Sequence, residues 1–147
     1  MPIYRINIQL TPAIKNALAL ILGIGLGGFI NLIILGVNGT LIPMPEGADV
    51  STPEGLARSI SLFQPIHFMA PFMAHALGTF FASWITVQFA GTPSLKRAMV
   101  PGILFLAGGV FMVVILDAPL WFEITDLVLA YIPMAWLGFK LGTRNKK

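Results

Sequence analysis

Four long apolar runs dominate the chain, separated by short polar or proline-bearing stretches. The first is Ala17 to Val37, with Thr11 and Pro12 before it as N-cap and first helical residue. At 1.5 Å per residue it covers about 31 Å, the thickness of a hydrocarbon core. Asn38-Gly39 then reads as a turn or C-cap. The second run is His67 to Phe89, closed by Ala90-Gly91-Thr92-Pro93. The third is Met99 to Leu116, followed by Asp117-Ala118-Pro119, a cap residue and a proline near a first helical position. The fourth goes from about Leu120 to Leu141, with Glu123 and Asp126 near its start and Pro133 inside it. That proline should kink the helix or free the carbonyl of Leu129.

The predicted fold is all-α: a single integral membrane domain over 1–147, a four-helix bundle with spans at about 13–37, 66–89, 99–116 and 119–141. A β-barrel needs alternating segments of about ten residues, and none occur. The one long connection, 38–65, should lie outside. Ser51 and Glu54 have capping-box spacing, Pro53 suits a first turn, and Leu56, Ile60 and Phe63 recur at helical spacing. They predict a short interfacial helix at about 53–63, there to pack the loop rather than act as a lid. Ile6 to Leu10 alternates apolar and polar, and reads as an interfacial tail.

Composition agrees. Hydrophobic residues make up 56% of the chain and charged residues 10%, with mean hydropathy +0.86. A water-soluble monomer cannot cover its core with so few charges, and a disordered chain carries more. The absence of cysteine excludes disulfides and thiolate metal sites. Arg5, Lys15, Lys96, Arg97, Lys140, Arg144, Lys146 and Lys147 fall at one end of a four-span arrangement, and that end has no acid. Glu46, Asp49, Glu54, Asp117, Glu123 and Asp126 fall at the other, where Arg58 is the only base. This segregation predicts cytoplasmic termini, and it accounts for the net charge without nucleic-acid binding. The first run is too long for a signal-peptide core, so it is expected to remain in the mature protein.

Polar groups inside apolar runs are costly and are therefore functional candidates. Gly23 and Gly27 put two small residues on one face of the first helix, with Asn31 four further on. On the second, Pro71, His75, Gly78, Thr79, Ala82 and Thr86 form one small, polar stripe, with His67 at its edge. Gly23, Gly27, Gly78 and Ala82 are expected to serve helix packing. At 1.5 Å per residue, Asn31, His75 and Asp126 come to one level, about 9 to 12 Å from the outer ends of their helices. His67 and Glu123 share a shallower level. Two stacked pairs are thus expected, His75 with Asp126 and His67 with Glu123, with Asn31 and Thr79 nearby. Such a cluster can tie helices together, bind a small ligand or carry protons, because imidazole changes charge near neutral pH. The four ionisable groups are also candidate metal ligands, although the histidines are eight apart and match no metal motif. Gly23-x-Gly25-x-x-Gly28 matches a dinucleotide fingerprint by letters only, because no strand precedes it.

The stretch His67-Phe68-Met69-Ala70-Pro71-Phe72-Met73-Ala74-His75-Ala76-Leu77-Gly78-Thr79, together with Asp126 to Gly138, resembles small four-span bacterial membrane proteins. The resemblance implies a multi-pass protein of a bacterial inner membrane and attaches no activity or cofactor. Three roles follow, in order of preference. The first is a non-enzymatic binding or accessory protein, the second a proton-linked transporter or channel using His75 and Asp126, and the third a membrane enzyme. The glycine-rich first helix suggests a homo-oligomer or a subunit of a larger complex.

Overall fold

The computed structural model describes residues 10–144. The alternating segment Ile6–Leu10 lies almost wholly outside them, as do Arg5, Lys146 and Lys147. Among the described residues the fold is all-helical: α1 (Pro12–Leu41), α2 (Pro53–Ser59), α3 (Met69–Phe89), α4 (Leu95–Ile115), α5 (Leu120–Leu129) and α6 (Ile132–Arg144). Four helical stretches are long and apolar enough to cross a membrane: Pro12–Leu41, Pro65–Phe89, Leu95–Ile115 and Leu120–Arg144.

Several boundaries differ from the sequence reading. Thr11 caps α1 as expected, accepting from the Ile14 N–H, but the helix passes through Asn38-Gly39 and ends at Leu41. Neither Asn38 nor Gly39 adopts positive φ, so the pair supplies no C-cap. α2 is capped by Thr52, whose hydroxyl accepts the Gly55 N–H at 3.0 Å, and not by a Ser51–Glu54 box. Ser51 instead donates its N–H and O–H to Asp49, which holds that exposed carboxyl below its ordinary value. α2 continues as a 3₁₀ turn at Ile60–Leu62, and Pro65–Phe68 is also 3₁₀ rather than the first turn of α3. Ser94 caps α4, so Lys96 and Arg97 are helical.

α3 is the central element. α1 lies along it, α6 and α4 pack on its other sides, and α1 barely meets α4. The small stripe of α3 receives α1 at very close range. A Cβ on Gly23 would collide with the Thr86 hydroxyl and the Ala82 carbonyl, and one on Gly27 with the Gly78 carbonyl. The contact works because both backbones approach without side chains between them. Hydrogen bonds pin the rest. Ser83 Oγ donates to the Ala98 carbonyl on α4 at 2.7 Å, and Gln88 donates to the Gly142 carbonyl on α6. Asn16 and Thr92 bond each other twice, which fastens α1 to the α3–α4 turn.

Large apolar side chains turn outward. Ile21 is 69% exposed, Leu32 67% and Val114 82%, while the fully enclosed positions hold mostly small residues such as Ala74, Ala82, Ala98 and Ala135. An apolar exterior over a small-residue interior accords with helices long and apolar enough to cross a membrane.

The two kinds of glycine on α1 make this testable. Gly27→Val should lower stability in detergent by about 1–3 kcal/mol, since neighbouring backbone cannot yield. Gly25→Val, where a Cβ meets nothing within 4 Å, should stay within about 0.5 kcal/mol of wild type. Unfolding titrations in SDS read both, and equal losses would refute the α1–α3 register.

Candidate functional site

The site is built where the fourth span breaks. Pro133 has no N–H to return to the Leu129 carbonyl, and the helix stops at Leu129 and restarts at Ile132. The Ala130 N–H still closes on the Asp126 carbonyl at 2.9 Å, which completes the last turn of α5. Asp126 therefore sits in that turn, buried, with its carboxyl turned toward α3.

His75 Nδ1 lies 2.9 Å from both Asp126 oxygens. The pairing that satisfies these atoms is an Nδ1–H of His75 donating to the two Asp126 oxygens. Tyr131 adds a second donor, its hydroxyl 2.9 Å from Asp126 Oδ2. Its ring stacks on His75 with centroids 5.6 Å apart and planes 28° from parallel. Tyr131 is fully buried, and Gly109 of α4 makes room for it; a Cβ there would lie 2.5 Å from the phenolic oxygen. In the sequence Tyr131 offers only a phenol tip for hydrogen bonding on the fourth apolar run. Residues five apart on a continuous helix point about 140° away from each other, so only the break lets Tyr131 return to Asp126.

The other expected pair does not form. His67 is buried, but its 3₁₀ turn advances the chain by about 120° per residue rather than 100°, which swings the ring toward the loop. Nδ1 accepts the Gln64 N–H at 2.9 Å, and Nε2–H donates to the Pro43 carbonyl at 3.2 Å. His67 is thus a clasp across the 43–64 loop. Glu123 is half-buried and bonds no side chain among the described residues. The four-residue metal set is accordingly not assembled, and no group of three His, Asp or Glu among the described residues could hold a metal ion. Thr79, one turn along α3 from His75, is fully buried with its hydroxyl unpartnered and its methyl beside Gly102 of α4.

Two cavities meet at His75. The larger, about 750 Å³, is an open groove between α1 and α4. Gly25, Gly28 and Gly108 line its walls with Phe29, Leu32 and Phe105, and its polar residues are Asn31, His75 and Tyr131. The smaller, about 170 Å³, lies toward the acidic end under Leu56, Ile60 and Phe63, and includes Glu123 and Asp126. His75, Gly109 and Met112 border both. With Nδ1 committed to Asp126, Nε2 is the ring nitrogen left without a protein partner among the described residues.

No protein-family model, curated protein or solved structure matches the chain.

The triad predicts its own energetics. Tyr131→Phe should cost about 1–2 kcal/mol, the loss of one donor to a buried acceptor. His75→Ala and Asp126→Ala should each cost more, and the double variant less than their sum, with a coupling of about 1–3 kcal/mol. Additive losses in denaturation would mean that the two side chains do not meet.

Proposed function

We propose that this is a multi-pass membrane protein, basic end cytoplasmic, that binds a small amphipathic molecule in the groove between α1 and α4. The reading rests on one observation: a hydrogen-bonded His75–Asp126–Tyr131 cluster at the edge of an apolar groove, with one ring nitrogen unused. The volume suits a small-molecule site, as does the chemistry of mostly apolar walls with few convergent polar groups. The exposed apolar side chains of all four long helices and the segregation of charge support the membrane placement. The groove would then open sideways to acyl chains, so its ligand would enter from the bilayer.

Native mass spectrometry of the full chain, extracted from its own membrane in mild detergent, tests this. A bound molecule should travel with the wild type and be lost in Gly28→Leu, whose added side chain enters open space and fills the groove. Identical spectra for both proteins would overturn the reading.

A second reading, proton-linked passage, is favoured by the position of His75 between the groove and the Glu123 cavity. It expects pH-gradient dissipation in proteoliposomes that Asp126→Asn abolishes. Flux equal to that of empty liposomes would remove it.

A further inference from the structure

We infer that the groove's ligand is a long-chain lipid with a hydroxyl head, the hydroxyl bound at His75 Nε2. This inference rests on the groove being a ligand site and specifies what that ligand must offer. Asp126 holds the Nδ1–H, so Nε2 alone is left for a ligand. In the neutral ring Nε2 is a lone pair and requires a donor; in the charged ring it is an N–H and requires an acceptor. A hydroxyl meets both requirements, whereas an ether or ester oxygen meets only the second. Asn31 repeats the demand. Its amide, both donor and acceptor, borders the groove and makes no hydrogen bond among the described residues. Its Cβ would lie 3.2 Å from a Cβ on Gly78, one turn along α3 from His75, so amide and imidazole face the same head.

The rest of the groove asks for a chain. Gly25, Gly28 and Gly108 leave a trough in which an added Cβ meets nothing within 4 Å, and the surrounding side chains are apolar. The titratable groups sharing His75's cavities are Asp126, Tyr131 and Glu123, and α1 and α4 contribute none. No fixed cation lines the groove to favour an anionic head.

The test compares oleyl alcohol with oleyl methyl ether, the same chain without the donor, on full-length protein in nanodiscs. At alkaline pH the alcohol should bind about three- to tenfold tighter, the worth of one net hydrogen bond. His75→Phe should erase the preference. The double variant His75→Phe/Asp126→Leu, which leaves no orphaned carboxylate, should do the same should the single one fold poorly. Equal binding of alcohol and ether at alkaline pH, with both lost in Gly108→Leu, keeps the groove but overturns the hydroxyl head. Binding of neither, or of both undiminished in Gly108→Leu, overturns the groove reading itself. Loss of a dimer in Gly108→Leu would give the groove to a second copy of the chain and overturn the lipid.

Discussion

A buried carboxylate with few partners available sets the terms for this bundle. Asp126 lies in an apolar environment with no lysine or arginine paired to it among the described residues, and an isolated ionised carboxyl there would cost several kcal/mol. Its two oxygens are met by the Nδ1–H of His75 and the hydroxyl of Tyr131. Those donors come from α3 and from the residue after the helix break, so satisfying one carboxyl fixes α5 and the start of α6 against the central helix. The remaining contacts of the fourth span, Gly138 and Gly142 against α3, then follow as close backbone packing.

α1 shows how one helix can serve two purposes. Gly23 and Gly27 are buried against α3, where even a methyl group would collide with backbone. Gly25 and Gly28 face open space and line the groove. Helical periodicity separates the two sets, so the tight seam and the trough come from the same glycine-rich run. Packing alone accounts for the first pair and leaves the second unexplained, since leucine or valine there would cover more apolar surface.

Much of this was legible in the residues. The four apolar runs, their order and the helical class follow from hydropathy and length, and the meeting of His75 with Asp126 follows from equal depth and the cost of burying a charge. What escaped did so for local geometric reasons. Depth arithmetic assumes an α-helix from the first apolar residue, and the 3₁₀ turn at Pro65–Phe68 breaks that assumption for His67. Tyr131 was hidden for another reason: Pro133 announces a kink, but not a full break at Leu129–Ile132 that turns the tyrosine back onto Asp126. The Asn38-Gly39 signal failed because turn propensity yields when the apolar run on either side continues to favour helix. The α2 cap shifted by one residue, from Ser51 to Thr52: the Thr52 hydroxyl accepts the Gly55 N–H, while Ser51 turns its N–H and O–H to Asp49.

Gly109 joins the structural and chemical halves of the argument. A side chain at this position would strike the Tyr131 hydroxyl, displace the ring and take from Asp126 its second donor. The same residue borders both cavities, next to His75 and Met112. The space left by its missing side chain is thus taken by the tyrosine that orders the carboxylate, at the edge of the two cavities that His75 also borders. A larger residue there would therefore cost the carboxylate a donor before it filled either cavity.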